Sequence, residues 1–114
     1  MATRAIYTFK DSDQSIHVYK HWDGYPECAL KFIAKALPYA WELPRFEPDE
    51  FAAAFVAGNK KNRDGDVRLL DCGSNVPDVG QEYHYIVTVQ GGRLWVAFDD
   101  DFAPLDELLV KYKD

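Results

Sequence analysis

Residues 82–99 read Glu82-Tyr83-His84-Tyr85-Ile86-Val87-Thr88-Val89-Gln90-Gly91-Gly92-Arg93-Leu94-Trp95-Val96-Ala97-Phe98-Asp99, and this stretch decides the fold. Two runs rich in β-branched and aromatic residues flank a central Gly-Gly pair. That is the pattern of two antiparallel strands joined by a two-residue turn. The implied register sets Val89 against Leu94, Val87 against Val96 and Tyr85 against Phe98 on one face. His84, Ile86, Thr88, Trp95, Ala97 and Asp99 share the other face, with His84 directly opposite Asp99.

Working outward, residues 4–10 alternate with period two, placing Ala5, Tyr7 and Phe9 on one side and Ile6 and Thr8 on the other. Asp11-Ser12-Asp13-Gln14 is turn chemistry. Residues 15–21 alternate again, with Ile16 and Val18 on one side and His17, Tyr19 and His21 on the other. A four-residue loop pairs Phe9 with Ile16, Tyr7 with Val18 and Ile6 with Tyr19, so the apolar faces match. Pro26 suits a first helical turn and Glu27 the positive end of a helix dipole. Ala29, Phe32, Ile33, Ala36 and Leu37 follow at helical spacing, until Pro38 ends or kinks the helix. A second helix opens at Pro48-Asp49-Glu50, carries Phe51, Ala52, Phe55 and Val56 inward, and stops at Gly58-Asn59. Val67–Leu70 is a short apolar run of ambiguous type, 71–80 reads as a loop, and Pro104 opens a last helix with Leu105, Leu108, Leu109 and Tyr112 as its stripe. The predicted order is β-β-α-α-β-β-α. The expected architecture is α+β, a single domain over 1–114 in which two antiparallel hairpins form one sheet with helices packed on one face.

Composition narrows the function classes. The chain has 114 residues, of which 47% are hydrophobic and 15% aromatic, which suits a packed core and argues against disorder. Thirteen Lys and Arg against 19 Asp and Glu leave a net charge of -6, the wrong sign for a phosphate-binding surface. The short basic cluster Lys60, Lys61 and Arg63 is diluted at once by Asp64 and Asp66. Direct nucleic-acid binding is therefore not expected. Cys28 and Cys72 form no CxxC and no disulfide framework, so reduced thiols in a cytoplasmic protein are expected. No apolar run approaches the roughly 20 residues that cross a bilayer, so no membrane association is expected.

Little chemistry is complete. On a strand, His17 and His21 share a face but stand about 13 Å apart, too far to hold one ion. Lys60 to Asp71 echoes a calcium loop through Asn62, Asp64 and Gly65, but a lysine stands where the first acid is needed. Cys72-Gly73-Ser74 has no base beside it in sequence and makes 71–80 a secondary contact candidate. No phosphate-binding glycine loop, nucleotide fingerprint or serine-hydrolase elbow is present, so neither a metal nor a cofactor is implied.

The segment Tyr19-Lys20-His21-Trp22-Asp23-Gly24-Tyr25-Pro26 stands out. It gathers imidazole, carboxylate, ammonium, indole and phenol at a strand-to-helix junction. Its plain reading is scaffolding, with Asp23-Gly24 as a turn and the aromatics as anchors. Its functional reading is a ligand or partner surface made of His21, Trp22, Asp23 and Tyr25, with Trp95 of the second hairpin as a neighbour. This string resembles the Y-K-H-x-D-G-Y-P signature of a family of small uncharacterised bacterial and phage proteins. The resemblance covers eight residues of the 114. It implies a bacterial or phage setting, and the family assigns no catalytic residues to carry over.

Three functions follow as expectations. The first is a small non-enzymatic protein-interaction or regulatory module. If helices cover only the other face, the one bearing Ile6, Tyr19, Ile86 and Trp95 needs a partner chain or the remaining helix as its cover, which suggests a homodimer. The second is a small hydrolase with His21 or His84 as base, oriented by Asp23 or Asp99. The third is an acidic nucleic-acid mimic that blocks a host protein.

Overall fold

A computed structural model describes residues 3–60, 66–70 and 80–113. Strand β1 (Ala5–Lys10) turns back into β2 (Ser15–Lys20), and the pairs Phe9–Ile16, Tyr7–Val18 and Ile6–Tyr19 are those the alternation demands. The Asp11 carboxylate accepts from the Asp13 and Gln14 amides and so shapes the turn between them. Helix α1 (Pro26–Ala34) and helix α2 (Pro48–Asn59) follow, both opened by proline. The short strand β3 (Val67–Leu69) comes next. Strands β4 (Tyr83–Gln90) and β5 (Arg93–Phe98) form the second hairpin, with Val89 against Leu94 and Val87 against Val96 as expected. Gly91 and Gly92 both take positive φ, 58° and 75°, the left-handed backbone region of a two-residue turn that matches the right-handed twist of the flanking strands. Strand β6 (Asp101–Pro104) runs into helix α3 (Leu105–Lys111).

The fold class is α+β, but the sheet is mixed and has six strands in the order β3-β2-β1-β4-β5-β6. The expectation of a purely antiparallel sheet from two hairpins is corrected here, because the hairpins join through a parallel pairing of β1 with β4. That pairing brings together strands from opposite ends of the chain and leaves no local pattern. The two added strands are edges. β3 falls in the run whose type was ambiguous. β6 begins at Asp101 and runs to Pro104, directly ahead of the last helix. Asp99 adopts φ 48°, which turns the chain sharply enough for β6 to pair back onto β5. Helix α1 also ends earlier than Pro38. Ala36, Leu37 and Tyr39 donate to carbonyls three residues back, the tighter winding common at the end of a helix.

One sheet face meets the helices. Tyr7, Phe9, Val18, Tyr85, Val87 and Val96 are buried there against Leu30 and Ile33 of α1, Phe51 and Phe55 of α2, and Leu105 and Leu108 of α3. Phe55 lies 4.7 Å from Tyr7 and 5.3 Å from Phe9 between ring centroids. Each such large side chain contributes about 1.5–3 kcal/mol by leaving water. The opposite face carries Ile6, Thr8, His17 and Tyr19, and all four are buried within this one chain. Ile6 and Tyr19 therefore need no second copy to cover them. Among the described residues, no helix is long and apolar enough to cross a membrane.

Candidate functional site

The strand-to-helix junction is built as a rigid clamp. The Gly24 amide donates to the Thr3 carbonyl at 2.8 Å, and the Tyr85 hydroxyl donates to the Gly24 carbonyl. A Cβ on Gly24 would stand 2.8 Å from the Thr3 oxygen and 2.9 Å from Ala5 Cβ, so only glycine lets the loop lie this close to β1. Asp23 takes φ 58°, which turns the chain from β2 toward α1. Part of this segment is thus scaffold. Tyr19 is buried on the sheet face and bonds His21 Nδ1 at 2.7 Å through its hydroxyl. Lys20 is buried on the helix-covered face with Nζ 4.1 Å from the Phe32 ring centre. Burial holds its amine below the usual lysine range, and Asp23 opposes that shift.

The rest of the segment faces solvent. Trp22 is 43% exposed and Tyr25 is 44% exposed, with exposed Asp23 between them in sequence. His21 meets Trp22 edge-on at 4.6 Å. So the structure brings His21, Trp22, Asp23 and Tyr25 onto one loop, yet it does not bring Trp95 to them. Trp95 pairs with Thr88 toward the far end of the sheet, about 20 Å along the strands from Trp22. There it packs on Phe102 at 4.8 Å, with a buried indole N–H that has no partner among the described residues.

His84 and Asp99 do not form the expected pair. His84 Nε2 is 2.6 Å from Thr8 Oγ1, while Asp99 lies in the left-handed turn before β6. Burial raises the Tyr83 and Tyr85 hydroxyls, and the Asp99 charge adds to both in a smaller measure. β5 ends at Phe98, and the positive φ of Asp99 breaks the alternation that would have paired it with His84. Cys28 is half-buried in α1, whereas Cys72, the rest of 71–79 and residues 61–65 lie outside the described residues, as do most of the calcium-like positions. Among the described residues, no group of three His, Cys, Asp or Glu could hold a metal.

Two features escaped the sequence reading. The first is a trio, His17, Thr8 and His84. His17 Nδ1 is 2.7 Å from Thr8 Oγ1, so one hydroxyl joins both rings. Burial lowers both imidazoles from their ordinary range, and His17 lowers His84 further. A hollow of about 240 Å³ is lined by Ser15, Ile16, His17, Leu69 and Leu70, but His17 Nε2 is itself closed off from solvent. Thr8 is buried too, which makes it a poor nucleophile for an incoming substrate. The second is a cleft of about 250 Å³ between Leu37, Leu43, Leu94, Leu105 and Leu109, with Arg93 and Asp106 also in its lining.

No family model matches this chain, and neither a curated protein nor a solved structure matches it.

Proposed function

We propose that this chain is a small, non-enzymatic protein-interaction or regulatory module of bacterial or phage origin, acting in the cytoplasm. Its contact surface is the loop carrying Trp22, Asp23 and Tyr25. The observation that carries the reading is the exposure of both aromatic rings on a loop whose backbone is fixed by Gly24 and Tyr85. An indole and a phenol held in water on a rigid support are the residues that supply contact area at protein interfaces. A preorganised loop also loses little entropy on docking. The bacterial or phage setting rests on the Y-K-H-x-D-G-Y-P resemblance. His21 is engaged by Tyr19 rather than by Asp23, which speaks against a hydrolase at this junction.

The test uses the full wild-type chain as bait with a chemical crosslinker, followed by purification of the crosslinked protein. Trp22→Ala and Tyr25→Ala are each expected to weaken binding of that purified partner at least tenfold without lowering the melting temperature. Undiminished binding by both variants would overturn the proposal.

A further inference from the structure

The Thr8 hydroxyl stands between two rings that belong to different neighbouring strands. Thr8 lies at the centre of β1, His17 opposite it on β2, and His84 on β4 beside Ile6. A hydroxyl has one proton to give and lone pairs to accept with. In the neutral trio one ring nitrogen accepts the Thr8 proton, and the other donates its own N–H to the same oxygen. Which ring does which is coupled, because the hydroxyl can serve only one acceptor. A single extra proton leaves this arrangement intact, since a cationic ring still donates while a neutral one accepts. A second does not. Both ring nitrogens must then donate to one oxygen, the hydroxyl proton loses its acceptor, and two cations face each other across it. His17 Nε2 has no hydrogen-bond partner among the described residues, so a proton there is buried without an acceptor.

We infer that Thr8, His17 and His84 form an acid-sensitive latch, which ties β2 to β4 across β1 and lets go when both rings are protonated. Release frees the face that also carries Ile6 and Tyr19. Other ionisable groups on that face are Lys10 of β1 and Arg4 just ahead of it, Tyr19 of β2 and His21 four residues beyond His17, Arg68 of β3, Glu82 ahead of β4, and Arg93 at the far end of β5. Arg68 is engaged by Asp66 and His21 by Tyr19. The influences resolved on His17 and His84 are burial and, on His84, the neighbouring ring. The supporting shifts are downward, so the folded state binds fewer protons than the unfolded chain. Stability is complete above the ordinary imidazole pKa of about 6.5 and falls as pH drops below it.

The experiment has two arms on the full chain. Nitrogen-15 spectra of the wild-type rings across pH 8 to 4 should show His17 and His84 taking up protons in two linked steps, the second well below the ordinary range. Urea unfolding over the same range should show the folding constant falling by up to about a hundredfold per pH unit, at tenfold for each of two protons. In His84→Phe that limit drops to about tenfold, and in Thr8→Val the two rings titrate independently. Independent titration of the wild-type rings near their ordinary pKa overturns the latch. So does a pH dependence that His84→Phe leaves unchanged. If a variant fails to fold, the wild-type spectra decide alone.

Discussion

Tyr85 and Gly24 are 61 positions apart, and the phenol of one donates to the carbonyl of the other. This bond fastens the β2–α1 loop to the middle of the sheet, beneath the exposed pair Trp22 and Tyr25. Removing the hydroxyl in Tyr85→Phe leaves a buried carbonyl without its donor and should cost about 1–3 kcal/mol. Gly24→Ala should cost more than Tyr85→Phe, because its Cβ meets the Thr3 carbonyl at 2.8 Å. Urea unfolding of the two variants checks the order.

Gly58 offers a prediction with an unusual sign. Replacing a helical glycine with alanine ordinarily stabilises by about 1 kcal/mol. Here a Cβ would stand 2.4 Å from the Lys35 carbonyl, at the crossing of α2 with the end of α1. Asn59 holds the same crossing by donating from one amide nitrogen to the Phe32 and Phe55 carbonyls. Gly58→Ala should therefore lower the melting temperature, and a rise would show that the two segments can part without loss.

The core should be most sensitive at Phe55. Its ring fills the space between Tyr7 and Phe9 and has no exposed surface. Phe55→Ala should cost about 3–5 kcal/mol, a large part of the stability of a domain this size. Thermal melting is expected to show a variant that is unfolded or nearly so at 37 °C, while Val110→Ala, on an exposed position of α3, leaves the melt unchanged.

Acid should act separately at Asp101. Hydrogen bonds from Tyr112 and then Lys111 hold its carboxyl below the ordinary range. A depressed carboxylate stabilises the fold above its unfolded pKa, and the contribution is lost as pH falls through the folded value. This window lies below the one assigned to the histidine latch, so the two can be told apart. Tyr112→Phe and Lys111→Met should each move the Asp101 titration, followed by carboxyl carbon shifts, back toward the ordinary range.

Local pattern was legible in the sequence and distant pairing was not. Alternation alone gave the Tyr7–Val18 and Val87–Val96 pairs, because a buried face forbids a one-residue slip. Pro26, Pro48 and Pro104 correctly marked where helices begin. The parallel contact of Thr8 with Ile86 has no counterpart in any short window, and the trio of Thr8, His17 and His84 depends on that contact. The junction segment was visible as a cluster of functional residue types. Its division into buried Tyr19 and Lys20 and exposed Trp22 and Tyr25 required the fold.

The place of β1 between β2 and β4 has a consequence for the nascent chain. A ribosome delivers β2 almost at once after β1, and such hairpins close in microseconds. The partner for the other side of β1 arrives about seventy residues later, which at about 5–20 residues per second takes roughly 4–15 s. For that interval Ala5–Lys10, apolar over most of its length, presents an unfilled edge to anything nearby. Protection of this one strand during translation is where a chaperone would do the most for this protein.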